Sequence, residues 1–345
     1  MGHQLQERSM SLSELAKDLK LSKSTVSRAL NGYSDVAFDT RQRVTQRAIE
    51  LGYIPNPVAK RLKGGRTNMI GVVLPPPLVN GMLIEPFYSS MLGALVFELQ
   101  ASGLKLLITN QHSGESEEDV RSYQSMVQQN LVDAILILRT RVNDLRVDFA
   151  QQHSLPFITF GRTQSHMPHA WVDVDHFDAF YQATARQIAR GHRHIAFINT
   201  STEFNYAQLR HDGYKQCLQD HQVIYRKEWQ MTGGMTEMDG YVLASRLLKV
   251  QPRPTAIICA TDYIAIGAMA ACRLMGLQPG KDISLIGYGN TPGTTYTNPP
   301  LTTIDPFPKE NGKQLGIFFD RHIFQAGELK FHHLQKAQII VRESD

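Results

Sequence analysis

The sequence is poor in cysteine and lacks a long apolar segment. It has three cysteines in 345 residues, Cys217, Cys259 and Cys272, and none forms a C-x-x-C pair. This usage argues against structural disulfides and thiolate metal sites, and it favours a reducing compartment. No apolar run approaches the ~20 residues of a membrane helix, and residues 1–4 do not open an apolar secretion segment. We therefore expect a cytoplasmic protein with no membrane partner.

The motifs of common catalytic sites are absent as well. The sequence contains no GxSxG, no HExxH, no Walker loop and no Cys/His cluster with metal-ligand spacing. Gly287-Tyr288-Gly289 resembles the start of a dinucleotide loop, but Gly293 lies one residue too far on and Pro292 disfavours the helix that should follow. We predict no catalytic residue, no metal and no cofactor, and hence no enzyme.

What the sequence does have is an uneven distribution of charge. The whole chain carries 36 basic and 32 acidic residues, a net charge of +4. Residues 1–66 hold 12 Lys or Arg and 6 Asp or Glu, so this segment carries +6 and the remainder carries −2. A basic segment on a mildly acidic body indicates that the segment alone meets a polyanion, the alternative being chance clustering on a solvated face.

The basic segment has the pattern of three short helices. Ser11 and Glu14 have capping-box spacing before a first helix, and Ser22 is placed to cap a second helix over residues 23–32. We predict that Asp39 caps a third helix. Two amphipathic helices joined by a tight turn, the second beginning with small polar and basic side chains, form a helix-turn-helix that enters the major groove of DNA.

The start of the second helix carries the predicted base contacts. Lys23 and Ser24 lie at its tip, and Arg28, one turn later, is suited to guanine or to a phosphate. Hydroxyl groups nearby are better placed for phosphate oxygens, which position the helix without reading sequence. The alternative for each residue is an ordinary solvated helix face. The predicted DNA-binding residues of this segment are Ser22, Lys23, Ser24, Thr25, Ser27, Arg28 and Asn31.

A short basic linker follows. Asn56 and Pro57 form a helix start and Gly64-Gly65 a stop. The helix between them is well below the ~12–15 residues at which an isolated helix becomes marginal in water, so it needs a partner. Lys60 indicates that this partner is DNA, and Leu62 has no local core to enter. We predict that Leu62 is an apolar wedge in the minor groove, the alternative being a flexible linker.

These residues resemble the lactose and purine repressor (LacI/GalR) family of transcriptional regulators. The resemblance rests on LSELAKDLKLSKSTVSRALNG and on TRQRVTQRAIELGYIPNPVAKRLKGGRTNMIGVVLP. It implies that Lys23, Ser24 and Arg28 read bases and that Leu62 is the minor-groove lever of a hinge helix. We also expect a homodimer, whose two heads meet the two half-sites of a near-palindromic, double-stranded operator, and hence association with the nucleoid.

Residues 67–345 alternate short apolar runs with helical patterns. Continuous apolar strands that alternate with helices are typical of parallel sheets covered on both faces. We predict an all-α helix-turn-helix head and an α/β body of two doubly wound parallel-sheet lobes, and the family resemblance implies a periplasmic-binding-protein-like core. The predicted strands cover residues 69–75, 104–110, 134–138, 156–160, 194–199, 256–260 and 283–289.

The predicted boundaries follow from these patterns. We place the DNA-binding domain at residues 9–55, the hinge helix and linker at 56–66, and the effector-binding and dimerisation domain at 67–345. A polar stretch near residues 161–170 separates the two halves of the strand set. The first lobe is then residues 67–165 and 306–335, and the second is 166–305 and 336–345.

Ligands of open α/β lobes bind beyond the carboxyl ends of the strands. Arg210 occupies the place where the resembling family binds its effector. Arg162 follows the fourth predicted strand and Asp262 the sixth, so both are candidate effector contacts. The alternatives are that Asp262 caps the next helix and that Arg162 forms a surface or inter-lobe ion pair.

Three further residues complete the predicted effector site. Phe87 and Trp171 are candidates for stacking on a sugar ring, the alternative being aromatic side chains of the core. Asn290 stands where many relatives have an acidic pair. The combination FGR…VDVD is similar to regulators of α-glucoside, maltose or trehalose use, which implies a mono- or disaccharide effector.

Together these patterns predict a sequence-specific transcriptional regulator, a repressor whose operator affinity is controlled allosterically by a small molecule. The competing hypothesis is a soluble cytoplasmic solute-binding protein without regulatory DNA binding. The two hypotheses differ in whether residues 9–66 bind a specific DNA sequence.

Overall fold

The structure, a computed structural model, describes residues 10–30, 33, 35–53, 66–75, 85–110, 116–165, 167–323 and 331–345. The chain forms two compact units, a head (Met1–Thr67) and a body (Asn68–Asp345). The predicted hinge helix with Lys60 and Leu62, and the predicted contact Asn31, lie outside the described residues. Their roles stay predictions.

The head contains three helices around a small apolar core. The helices are α1 (Leu12–Asp18), α2 (Lys23–Leu30) and α3 (Phe38–Glu50). Their shared core consists of Leu15, Ala16, Val26, Ala29, Val36, Val44 and Ala48. Arg47 joins α3 to α1, because its Nε and Nη2 donate to the Asp18 carboxylate at 2.7 and 3.0 Å.

Two of the three predicted helix caps are confirmed. Glu14 N donates to Ser11 Oγ and Ser11 N to Glu14 Oε2, which is the reciprocal pattern of a capping box. Thr25 N donates to Ser22 Oγ at 3.0 Å. The predicted cap at Asp39 is wrong: α3 begins at Phe38, its N-cap is the extended residue Ala37, and no side chain caps it. Asp39 lies in the first turn, where a carboxylate still interacts favourably with the helix dipole.

The first lobe of the body is built on a six-stranded sheet with the order β11-β5-β4-β3-β1-β2, and every neighbouring pair is parallel. Its core lies on both faces of the sheet. The strands are β1 (Met69–Leu74), β2 (Lys105–Asn110), β3 (Ala134–Ile137), β4 (Phe157–Phe160), β5 (Trp171–Val174) and β11 (His332–Gln335). The helices are α4 (Pro86–Glu98), α5 (Ser116–Gln128), α6 (Leu145–Gln152) and α11 (Pro308–Arg321), with α11 packed on α4.

The second lobe repeats this plan. Its sheet has the order β12-β10-β9-β8-β6-β7, with β12 antiparallel to β10 and the other pairs parallel. The strands are β6 (Ile195–Asn199), β7 (Gln230–Thr232), β8 (Ala256–Cys259), β9 (Ser284–Tyr288), β10 (Thr302–Asp305) and β12 (Gln338–Ile340). The helices are α7 (His176–Ala189), α8 (Asn205–Asp220), α9 (Glu237–Leu247) and α10 (Asp262–Leu274), which pack as the pairs α7–α8 and α9–α10. The predicted fold class is confirmed.

One predicted lobe boundary is wrong. The division at residues 165 and 166 assigned Trp171–Val174 to the second lobe, whereas this segment is β5 of the first sheet and pairs in parallel with β4. Its apolar residues Val172 and Val174 are buried in the first core. The chain therefore crosses between the lobes at Val174–His176, after the polar stretch and not within it.

Candidate functional site

The exposed tip of α2 is the candidate DNA-reading surface of the head. Lys23 and Ser24 are exposed at its first turn, and Val26 and Ala29 on the opposite side are buried. Arg28 is exposed too, but it forms an ion pair with Asp35 and lies over the ring of Tyr33 at 5.0 Å. Lys23 and Ser24 are thus accessible for the predicted base contacts, whereas Arg28 would have to give up an internal partner to make its own.

Hydroxyl groups at the same tip are already connected. Ser22 Oγ lies 2.7 Å from Ser24 Oγ and 2.8 Å from Thr25 Oγ1. Because each hydroxyl both donates and accepts, this network holds the first turn and keeps hydrogen-bonding capacity for a phosphate oxygen. Ser27 is partly buried further along the helix.

The body contains a cavity where the carboxyl ends of strands from both sheets meet. It has an empty volume of about 800 Å³, counted out to its open mouth. The walls combine six Phe or Tyr side chains with five charged ones, and aromatic faces beside placed polar groups are typical of sites for small ligands. It is lined by Glu85, Pro86, Phe87, Tyr88, Arg139, Thr140, Phe160, Gly161, Asp173, His176, Tyr206, Arg210, Met235, Thr261, Asp262, Tyr263, Tyr288, Gly289 and Thr291.

The structure places three of the six predicted effector residues on this wall and three away from it. Phe87, Arg210 and Asp262 line the cavity, and Arg162, Trp171 and Asn290 do not. Arg162 turns to Asp173, with Nε 2.7 Å from Oδ2, and lies over Trp171 at 5.6 Å. Arg162 is thus in an ion pair, as the alternative had it, but the pair is neither at the surface nor between the lobes, because Asp173 is buried and belongs to the same sheet.

Trp171 and Asn290 have other partners. The Trp171 indole stacks on His332 with the ring centroids 4.7 Å apart, at the amino end of β5. Asn290 Nδ2 donates to Asp305 Oδ2 at 2.9 Å, and its Oδ1 accepts from Arg342 at 2.8 Å. These hydrogen bonds connect Asn290 to the end of β10 and to the residues that follow β12.

Arg210, in α8, is held from several sides. Its Nη1 donates to the carbonyl oxygen of Ala260 at 2.8 Å and its Nε to His176 Nδ1 at 3.3 Å. The guanidinium lies 3.9 Å from the ring centroid of Tyr288 and 4.6 Å from that of Tyr206, within the range of cation–π attraction. Arg210 is 5% exposed and presents a fixed cation to the cavity.

His176 connects Arg210 to the first lobe. A guanidinium can only donate hydrogen bonds, so His176 Nδ1 accepts from Arg210. The proton of the neutral imidazole therefore lies on Nε2. This nitrogen is 3.6 Å from Asp173 Oδ1. Burial, with the charges of Arg210 and Arg162, holds the pKa of His176 well below its ordinary value. Burial raises the pKa of Asp173, although Arg162 opposes this. The chain Arg162–Asp173–His176–Arg210 therefore runs from one sheet to the other through the crossing segment.

Asp262 is fully buried, and its carboxylate accepts from three donors. Thr291 N (2.8 Å) and Thr291 Oγ1 (3.1 Å) donate to Oδ2, and the Thr303 hydroxyl donates to Oδ1. Burial raises the pKa of Asp262 to about 6, against these hydrogen bonds. Asp262 does not cap its helix, because Thr261 accepts from Ile264 N at 3.1 Å and is the N-cap. Asp262 thus fixes the loop after β9.

Several wall residues were not predicted from the sequence. Arg139 follows β3, and its Nη2 lies 2.8 Å from Glu85 Oε1. Burial raises the pKa of Glu85, with Arg139 opposing, and burial raises the pKa of Tyr88 to about 12. A usable signal existed for Arg139, a charged residue directly after an apolar strand. The tyrosines offered none, since aromatic residues are common in cores.

Two classes of site are not seen in the described parts of the chain. Within those ranges, no group of three or more His, Cys, Asp or Glu side chains is placed to hold a metal ion. No described helix is long and apolar enough to cross a membrane.

A three-helix head with an exposed polar helix tip and a two-lobed body with a cavity at the strand ends define the class of ligand-responsive DNA-binding regulators. Residues 11–56 match the family described as "Bacterial regulatory proteins, lacI family", and residues 184–344 match the family described as "Periplasmic binding protein-like domain".

Individual relatives agree with these matches. The chain is 34% identical to the HTH-type transcriptional regulator RafR of Escherichia coli, over 82% of each protein. It is 32% identical to the regulator AglR of Rhizobium meliloti (strain 1021), over 97% of this chain and 94% of the relative. In fold it is similar to the lac repressor dimer bound to operator and the anti-inducer ONPF, with a TM-score of 0.82 and 24% identity over 98% and 99% of the chains. The chain belongs to the lacI family of bacterial regulatory proteins.

Proposed function

We propose that this protein is a homodimeric repressor whose binding to an operator is controlled by a sugar that enters the cavity of the body. The observation that carries the proposal is the pairing of an exposed, polar α2 tip with a cavity whose walls come from both lobes. The lac repressor, similar in fold, was solved as a dimer on operator DNA with an anti-inducer. Acting on DNA implies a cytoplasmic location at the nucleoid.

The chemistry of the cavity supports a sugar. Aromatic faces such as Phe87 and Tyr206 suit the apolar faces of a pyranose ring, and fixed charged groups suit its hydroxyls. The charges are largely balanced, because Arg139 pairs with Glu85 and Arg162 with Asp173. A neutral, polyhydroxylated ligand fits such a wall better than a polyanion does. The same features support binding and not catalysis as the role of this site.

Control of DNA binding follows from where the wall residues lie. A ligand that contacts Arg139 in the first lobe and Arg210 in the second favours one arrangement of the lobes. It shifts operator affinity by the difference in its own affinity for the two arrangements, typically ~1–3 kcal/mol. Residues 56–63, too short to form a helix alone, are the proposed hinge that responds, with Lys60 and Leu62 against DNA.

The DNA-binding half of the proposal is tested with the promoter region upstream of the protein's own gene. Footprinting is expected to show a near-palindromic protected site, with affinity that falls steeply as salt rises because phosphate contacts release counterions. Leu62→Ala is expected to weaken binding and reduce DNA bending, measured by gel mobility of circularly permuted fragments. Absence of any sequence-selective binding would support the solute-binding alternative instead.

The effector half is tested by thermal unfolding in the presence of individual mono- and disaccharides and purines. A sugar that binds the folded state raises the midpoint temperature. Arg210→Ala is expected to abolish this shift and the response of operator binding, while operator binding itself is retained. A normal response in Arg210→Ala would show that the cavity is not the effector site.

A further inference from the structure

A buried ion pair outside the cavity holds the loop between β3 and α6. Asp144 is the N-cap of α6, and its carboxylate accepts from the backbone N of Arg141 (2.9 Å) and of Arg146 (3.1 Å). The Arg146 side chain donates back through Nε (2.8 Å) and Nη2 (2.7 Å). Burial opposes the charge, but Arg146 holds the pKa of Asp144 below its ordinary value. The loop is therefore fixed at its α6 end.

The same Arg146 side chain reaches back to Arg139. Its Nη2 donates to the carbonyl oxygen of Arg139 at 3.1 Å. Arg139 has a φ of +50°, in the left-handed region that residues with a side chain rarely adopt. Such a conformation persists where surrounding contacts impose it, and it is concentrated at ligand sites. The Asp144–Arg146 pair supplies one of these contacts.

The conformation of Arg139 directs its guanidinium to the cavity wall. There it lies beside Glu85, the N-cap of α4, and the two side chains are 11% and 18% exposed. A guanidinium donates and a carboxylate accepts, so the pair matches two neighbouring hydroxyl groups. Asp144 and Arg146 are not wall residues and act through Arg139.

We propose that Arg139 and Glu85 bind adjacent hydroxyls of the effector and that Asp144 and Arg146 are positioning residues for Arg139. This rests on the proposed sugar-sensing function. A buried ion pair is a weak source of stability, because desolvation offsets the attraction between its charges. The Asp144–Arg146 pair instead contributes by holding Arg139, the proposed ligand-binding arginine, in its unfavourable backbone conformation.

A double-mutant cycle on the full-length protein tests the proposal. Arg139→Met, Arg146→Met and the double variant are titrated calorimetrically with maltose, melibiose and cellobiose. Loss of a charged hydrogen bond predicts that Arg139→Met weakens binding of the sugar by about 10- to 100-fold. Arg146→Met is expected to lose nearly as much and the double variant no more, since both changes remove one interaction. Additive losses, or unchanged affinity in Arg146→Met, would overturn the positioning role.

Arg193→Met is the matched control. This exposed arginine also donates to backbone carbonyl oxygens, those of Ile188 and His192, but it is not a wall residue. Its removal is expected to leave sugar affinity unchanged. If Arg146→Met does not fold, Arg146→Lys replaces it, because lysine keeps a positive partner for Asp144 but lacks the planar fork through which Arg146 holds Asp144 with Nε and Nη2 and reaches the Arg139 carbonyl oxygen.

A ligand-free measurement separates failure of this inference from failure of the proposed function. If the wild type binds none of the three sugars, the sugar proposal fails for this set. The crystal structure of the unliganded Arg146 variant then decides the positioning role. Arg139 is expected to leave the left-handed region and to lose its contact with Glu85. An unchanged Arg139 would overturn the inference.

Discussion

The head and the cavity hold their functional side chains under opposite conditions. Lys23 and Ser24 on α2 are exposed. In the cavity, Arg210 is 5% exposed, Asp173 1% and Asp262 0%. DNA brings its own charges and water to an exposed surface, whereas a small ligand needs groups that are already fixed and desolvated. A substitution in the head can therefore remove function and leave stability unchanged, whereas removing one partner of a buried ion pair in the cavity is expected to cost stability as well.

The largest expected effect is on the cavity side of this comparison. Asp173→Ala removes the carboxylate that accepts from Arg162 Nε and lies 3.6 Å from His176 Nε2. Breaking a buried pair leaves an uncompensated charge, so we expect a loss of about 3–4 kcal/mol in the free energy of unfolding, limited because Arg162 is partly exposed. Urea denaturation followed by circular dichroism measures it.

The control for this change is Asp212→Ala. Asp212 is an exposed carboxylate in α8, with His211 3.5 Å away. Its removal is expected to change the free energy of unfolding by less than about 0.5 kcal/mol. Equal effects of the two substitutions would contradict the idea that buried cavity charges support the body.

A pH effect follows from Asp262. Its pKa of about 6 lies above the ordinary 3.8, so the folded state binds the proton more tightly than the unfolded state does. The resulting stabilisation is present below about pH 4 and is lost as pH rises through about 6, a difference of roughly 2–3 kcal/mol. Asp262→Asn is expected to lack this loss, so its stability relative to wild type improves with pH in denaturation series. A parallel pH dependence of the two proteins would sink the prediction.

The head was predictable from its sequence because its structure is local. The capping box at Ser11 and the cap at Ser22 are set by spacings of three residues, and both are present. The miss at Asp39 has a local cause as well, since an acidic residue suits the first turn as well as the cap. Nothing in the pattern revealed the ion pair of Arg28 with Asp35, seven residues further along the chain.

The body was predictable in seven of its twelve described strands, and less so in its short or partly polar strands and in its site. Apolar runs identified seven strands within about a residue, but WVDV at 171–174 carries a polar residue and was assigned to the wrong lobe. Position directly after a strand favoured Arg162, whereas Arg210 was favoured by the family resemblance. Which guanidinium faces the cavity is decided by partners far apart in sequence, Asp173 for one and Ala260 for the other.

On the head side, Lys23→Ala is expected to separate function from stability. Loss of a base contact costs about 1–3 kcal/mol, which is a roughly 5- to 150-fold weaker operator affinity in fluorescence anisotropy. The melting temperature is expected to stay unchanged, because Lys23 is exposed. Lys17→Ala, the same charge loss on α1, is the control. Equal losses in both variants would make Lys23 a phosphate contact and not a base contact.

The smallest expected effect concerns Arg28. Among the predicted base-reading residues in the described part of the head, it is the one that forms an ion pair, with Asp35. Asp35 competes with DNA for this guanidinium and repels phosphates, while an exposed pair contributes little to stability. Asp35→Asn is therefore expected to strengthen operator binding by about 2- to 5-fold at low salt, with the gain shrinking as salt rises. Titrations at two salt concentrations measure this. Weaker operator binding in Asp35→Asn would contradict this prediction, because it would mean that Asp35 holds Arg28 in position for DNA. Arg28 would then resemble the cavity arginines, which buried partners hold in place, and the difference between an exposed head and a fixed cavity would not apply to it.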